Sequence, residues 1–447
     1  MAMIRKPFRK RRVRSRKAIA RCPVGARQKS FSGFDQGIFC PIPISGKRPQ
    51  GRVEKLEERK FDEKAETALR LLFENFWILR EENPEQYQLI RERERILKRF
   101  IDEKFGYPLI VHRHFIKLEK TPVEPEAWMG ILDFQSVRDY AMFCCALAFT
   151  ESKQVDEQFL LSEICEDIKD MYPGEFPIDW TNYNDRKSLI RVIKFMERLS
   201  LLKRVEGDIE KFASHEKEEV LYEVTVYARY FMRTFPDDLS EYASAEEILR
   251  AEWERQSDVR RKRVYRKLFL SPAVCREGED DADFLYMRNF RNRLRDDIES
   301  HTSFRLELFK NAAFLVADEK HPEFTLFPDQ RAISDIVLHL GSLLREKISE
   351  FPPDEYGRIR MTKVQFSDLM KELKNKYGYG WSKQYREGTA ASLESDVIEL
   401  LKEWELLEAE EFTGSYLFKP AIGRLSGHYP KDFSGEAKEE VDGGETE

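Results

Sequence analysis

The sequence is short of the features that announce a chemistry. Six cysteines in 447 residues include no C-x-x-C, and Cys144 and Cys145 lie inside an apolar helical stretch. Reduced thiols, some of them in a core, are therefore expected rather than a disulfide frame. The best apolar run, Ala141 to Phe149, is nine residues long, too short to span a bilayer. The basic N-terminus has no apolar segment and no small-residue cleavage site, so it is not read as a secretory signal. A soluble cytoplasmic protein is expected.

Nucleotide-binding and catalytic signatures are missing as well. Ser45-Gly46-Lys47 lacks the first glycine of a P-loop and follows no strand, and G-x-G-x-x-G does not occur. No serine or cysteine sits in a nucleophile motif. His112 and His114 would share a face of a strand over 109–118, but no third ligand lies nearby, and a half-exposed strand explains them. The acids Glu279, Asp280, Asp281 and Asp283 precede a helix, where carboxylates favour the positive end of the helix dipole. Neither set is assigned a metal, no cofactor is expected, and a non-enzymatic role is preferred.

What is present is charge, unevenly placed. The net charge of −6 averages two unlike parts. Residues 1–50 hold fourteen Lys/Arg and one acid, whereas 51–447 hold 62 basic and 81 acidic residues, a net of −19. The first 55 residues show no sustained period and are expected to be disordered. They are either a basic arm for nucleic acid or the product of a start codon placed too early, with the chain beginning near Val53. The tail 431–447 is acidic and expected to be disordered.

Periodicity between these ends predicts a mainly α chain with small β elements (α+β). Residues 56–130 are read as an N-terminal helical region: a helix over 54–82, another over 84–105, and the short strand at 109–118. Over 131–235 three helices (135–151, 156–171, 184–199), a strand (201–206), a charged loop and a return strand (220–226) predict a winged helix. The order recurs over 326–430, with helices at 328–349, 362–376 and 389–404, Thr362 as an N-cap, and a hairpin from Leu406 to Lys419. Residues 236–325 read as a helical region with room for a third, degenerate copy.

The third helix of a winged helix can enter a DNA groove, and long cations there bind phosphates. In the 131–235 unit Lys187, Arg191, Lys194 and Arg198 recur at i, i+4, i+7 and i+11 opposite Leu189, Val192, Met196 and Leu199. A solvated helix face explains the pattern equally well, and Glu197 dilutes it. A second set, Arg288, Arg291 and Arg295, lies beside Met287, Phe290, Leu294 and Ile298, with Asp296, Asp297 and Glu299 close enough for internal pairing. The dense run Arg260–Arg263, Arg266 and Lys267 precedes it. The C-terminal third helix instead carries Glu394, Asp396, Glu399 and Glu403, which repel phosphate and favour packing or a protein partner.

An ordered series of short marks resembles a bacterial family. They are Tyr87-x-Leu-Ile-Arg91, Lys104-Phe-Gly-Tyr-Pro-Leu-Ile-Val111, Leu118-x-Lys-Thr-Pro122, Arg266-Lys-Leu-x-Leu-Ser-Pro272, Asp296-Asp-Ile-Glu299, Trp381-Ser-Lys-x-Tyr-Arg386 and Tyr416-x-Phe-Lys-Pro-Ala421. The series is similar to the accessory subunit of Wadjet anti-plasmid defence operons, a divergent MukE-like (KITE) winged-helix protein. The first 50 residues have no counterpart in that pattern. The resemblance implies a subunit that binds a kleisin-like protein, forms homodimers and touches DNA held by an SMC ATPase. ATP hydrolysis would belong to the SMC subunit, and plasmid cutting to a separate topoisomerase-like nuclease. Two rival readings are a stand-alone winged-helix transcription regulator and, more remotely, a metal-dependent nuclease using the Glu279–Asp283 acids.

Overall fold

The computed structural model describes residues 3–6, 61–174, 177–215, 217–233, 235–319, 324–410, 413–430 and 433. The chain divides into two compact units, one from Met1–Val123 with Gln256–Glu447 and one from Glu124–Arg255. No helix among the described residues is long and apolar enough to cross a membrane.

One correction comes first in the chain. Residues Met3–Lys6 form a strand, β1, within a segment expected to be disordered. The rest of that segment lies outside the described residues, as do residues 56–60 of the expected helical region and nearly all of the acidic tail.

The first module contains α1 (Glu63–Glu74), β2 (Trp77–Leu79), α2 (Pro84–Glu92), α3 (Glu94–Lys104), β3 (Leu109–Val111) and β4 (Phe115–Leu118). The expected 54–82 helix is thus too long. Asn75 ends it, returning its backbone N–H and its side-chain amide to the Leu71 carbonyl, and Trp77–Leu79 turns into a strand. The expected 109–118 strand is a hairpin, closed by the His112 N–H on the Phe115 carbonyl (2.9 Å). His112 and His114 therefore occupy its turn. The strand order is β2-β4-β3. Helix, strand, two helices and a hairpin whose last strand lies in the middle is the layout of a winged helix, where a helical region with one short strand was expected.

The unit Glu124–Arg255 repeats this layout with α4 (Val137–Ser152), β5 (Gln158–Leu160), α5 (Leu161–Met171), α6 (Tyr183–Arg198), β6 (Leu202–Glu206) and β7 (Leu221–Val224), in strand order β5-β7-β6. Two helices follow, α7 (Ala228–Phe231) and α8 (Ala245–Glu254). The start of the expected 156–171 helix is a strand: Phe159 is buried between exposed Gln158 and Leu160, and the three pair with β7. Phe159, Leu160, Ile164 and Ile168 fit a helical spacing, so only the non-local partner reveals the strand. Leu189, Val192, Ile193 and Met196 fill the core, as their spacing requires.

The third module is complete rather than degenerate. It comprises α9 (Val259–Leu270), β8 (Val274–Cys275), α10 (Ala282–Asn289), α11 (Arg291–His301), β9 (Phe304–Leu308) and β10 (Ala312–Ala317), with β10 between β8 and β9. Two further strands, β1 and β11 (Thr325–Phe327), extend its sheet. The fourth module follows with α12 (Ala332–Glu346), β12 (Ile359–Thr362), α13 (Lys363–Tyr377), α14 (Lys383–Glu387), α15 (Ala390–Glu403), β13 (Leu407–Glu410) and β14 (Ser415–Phe418), in strand order β12-β14-β13. Thr362 is the N-cap expected of it: its hydroxyl accepts from the Gln365 N–H (3.2 Å), while the Gln365 side chain accepts from the Thr362 N–H (2.8 Å).

Strand β10 organises the larger unit. All six of its residues are buried, as for a strand covered on both faces. Ala313, Leu315 and Ala317 enter the core shared by the first and third modules, while Ala312 and Phe314 enter the core of the fourth.

Candidate nucleic-acid interface

The two basic sets have different fates. On α6, Arg191 is committed inside the fold. Its guanidinium grips the Asp139 carboxylate with two bonds of 2.8 Å and a third to the Ser188 hydroxyl (2.9 Å). Asp139 is fully buried. Burial opposes its charge, but Arg191 and the Gln135 N–H prevail and hold the carboxyl below its usual value. This pair ties the third helix of the module to the first, so Arg191 is a structural residue. Lys194 pairs with Glu210, and Arg198 pairs with Asp133 while lying over the Phe195 ring. Lys187 is exposed, with its ammonium 5.1 Å from the Tyr183 ring centroid. Three of the four stripe cations are thus matched by carboxylates.

The dense run on α9 is also consumed internally. Arg260, Arg263 and Lys267 converge on buried Asp283 at 2.6, 3.1 and 3.4 Å. Burial again opposes the charge, and the three cations hold the Asp283 carboxyl below its usual value. Arg266 is almost wholly buried and donates from Nε to the Phe105 carbonyl (2.8 Å). Asp281 caps α10 by accepting from the Phe284 N–H (2.9 Å). Asp281 thus serves a helix start and Asp283 an ion cluster. Among the described residues no group of three His, Cys, Asp or Glu could hold a metal ion.

The remaining set stands apart. Arg288 on α10 and Arg291 and Arg295 on α11 are exposed and have no carboxylate partner among the described residues. Internal pairing was the competing expectation, and for Asp297 the geometry shows why it does not occur. Asp297 points inward, where it takes Lys104 and the Tyr265 hydroxyl. Arg293 shares this exposed, unpaired state, and Lys310 adds a further exposed cation at the β9–β10 turn, the wing of the module. Neither was singled out from sequence, although the run Arg291-Asn-Arg-Leu-Arg295 contains the signal for Arg293. Asp296 and Glu299 remain exposed on α11 and temper the charge.

The fourth module offers the opposite sign. On α15, Glu399 is exposed, Glu403 pairs with Arg331 (3.0 Å), and Glu394 accepts from the Ser367 hydroxyl (2.8 Å).

A family model matches residues 69–428, which span nearly all of the four modules. The chain belongs to DUF2398. The family is described as proteins of unknown function. No curated protein and no solved structure matches the chain. Within this DUF2398 chain, then, each module has a distinct third helix. On α6 the cations are largely paired, on α11 the arginines have no carboxylate partner among the described residues, and α15 is acidic. The first module adds Arg95 and Arg99 on α3 and Arg113 in the hairpin turn, all exposed.

Proposed function

We propose that this DUF2398 chain is a non-enzymatic, MukE-like accessory subunit of a bacterial SMC–kleisin complex in Wadjet-type anti-plasmid defence. It works in the cytoplasm, binds the kleisin-like subunit, forms homodimers, and helps hold DNA against the SMC ATPase. Cutting belongs to a separate topoisomerase-like nuclease. The observation that carries the DNA part is the unpaired set Arg288, Arg291 and Arg295 on the last two helices of the third module. Long cations free of internal carboxylates bind backbone phosphates and position a duplex without reading its bases. Binding is therefore sequence-tolerant and strongly weakened by salt.

The acidic third helix of the fourth module supports a division of labour. Carboxylates on α15 repel phosphate and complement a basic protein segment. The ordered sequence marks support the assembly, and three of them meet in space through the Arg266–Phe105 hydrogen bond and the Lys104–Asp297 ion pair.

The assembly is tested by purifying the tagged full-length chain from its native host and identifying what accompanies it. A coiled-coil ATPase and a kleisin-like protein in stoichiometric amounts are the expected companions. A chain that purifies alone and protects one specific operator sequence would instead be a transcription regulator.

A further inference from the structure

The sheet of the third module has a gap that one short segment fills. β9 lies along one edge of β10, and β8 and β1 share the other edge end to end, with β11 beyond β1. Strand β1 pairs antiparallel with β10 through Met3↔Ala317 and Ile4↔Val316. It pairs with β11 through Ile4↔Phe327, Arg5↔Leu326 and Lys6↔Thr325. Among the described residues β11 joins the sheet through β1 alone.

With Met3–Lys6 in place the walls of this gap are buried. Val316, Ala317, Leu326 and Phe327 are each less than a tenth exposed. Backbone N–H and C=O groups in such a place require partners, and an open strand edge is the usual template for capturing one. The gap also sits where two cores meet. Leu326 belongs to the core of the first and third modules, while Phe327 belongs to that of the fourth, with its ring 5.3 Å from Trp404. Whatever fills the gap fixes β11 and so fastens the third module to the fourth.

We propose that the gap between β10 and β11 is a strand-acceptor site for an extended peptide, occupied in cis by Met3–Lys6, which latches the third module to the fourth. Its ligand class is an extended main chain, recognised through the antiparallel ladder. The acceptor strands lie within the family-matched residues 69–428, and the donor lies outside them. The inference is independent of the DNA-binding reading and can stand or fall without it.

The test is a cross-link in the full-length chain. Directly opposed residues of an antiparallel pair have Cα separations that a disulfide can span. Met3→Cys combined with Ala317→Cys, mildly oxidised, is expected to give a cross-linked monomer that migrates faster on a non-reducing gel. Either single variant should not. Adding Ile4→Pro, which removes a ladder N–H, should abolish the band. A cross-linked dimer would overturn occupancy in cis, and absence of any cross-link in a folded chain would overturn the site. As a second measurement, a chain lacking residues 1–10 is titrated with a synthetic peptide of residues 1–10. Saturable 1:1 binding, lost when the peptide carries Ile4→Pro, is expected. A folded, truncated chain that does not bind the peptide would also overturn the site.

Discussion

The guanidinium of Arg266 lies 4.3 Å from the ring centroid of Tyr107 and donates to the carbonyl of Phe105 at 2.8 Å. One residue belongs to the first helix of the third module, and the other follows the last helix of the first. Both fall in sequence marks that are far apart in the chain, and the contact gives those marks a shared physical cause. Lys104 and Asp297 add an ion pair to the same junction.

Replacing Arg266 with methionine keeps much of the volume but leaves buried carbonyls short of a donor. A loss of about 3 kcal/mol is expected from the lost hydrogen bonds and the cation–π contact. Urea unfolding of Arg266→Met should show this as an earlier first transition. The same change at exposed Arg250 should leave the midpoint unmoved.

The Asp139–Arg191 pair predicts an acid-sensitive second module. The folded pKa of Asp139 is depressed. Its stabilisation is therefore present above the unfolded value of about 3.9 and is lost as the pH falls through the lower folded value. Asp139→Asn should cost about 3 kcal/mol at neutral pH, because Arg191 is left half-buried without its counter-charge. It should also flatten the acid limb of a plot of unfolding free energy against pH.

His339 predicts a second pH dependence, in the fourth module. Its ring stacks on Tyr377 at 4.4 Å, and its Nδ1 accepts from the Trp381 indole N–H at 3.3 Å. Burial, with His428 nearby, pushes its pKa down to about 4. The unfolded chain therefore binds the extra proton first. Stability should be full above about pH 6.5 and decline as the pH falls toward 4, by up to about 3 kcal/mol. His339→Phe should remove that slope, as followed by tryptophan fluorescence across pH 4–7.

The helices of the second and fourth modules were legible from sequence because their apolar residues keep one face over three or four turns. Leu189, Val192, Ile193 and Met196 are buried on that pattern. The short strands β2, β5, β8 and β12 were hidden. Each contributes two to four residues, and only a return strand far along the chain defines it. Their omission also concealed the first module as a winged helix. Strand β1 was the least legible, since four residues of a basic segment become a strand only by filling a distant sheet. The site was half legible. The cationic spacing on α6 was visible, but buried Asp139 in another helix turns Arg191 into a structural residue. The spacing of Arg288, Arg291 and Arg295 was visible too, but whether Asp297 would neutralise it depended on Lys104 and Tyr265.

This division between the two basic sets is itself testable. Lys194→Glu with Arg198→Glu should lower DNA affinity only modestly, because both cations are already paired with Glu210 and Asp133. Fluorescence anisotropy with a labelled duplex would compare these variants with changes on α11.

The most direct test of DNA holding is the salt dependence of duplex binding by the full-length chain and its Arg288→Glu/Arg291→Glu/Arg295→Glu variant. Each phosphate contact contributes about 0.9 to the slope of log K against log salt. The wild-type chain should bind unrelated duplexes alike, and the variant should bind more weakly with a slope shallower by about 2 to 3. Equal affinity and equal slope in a folded variant would contradict the account.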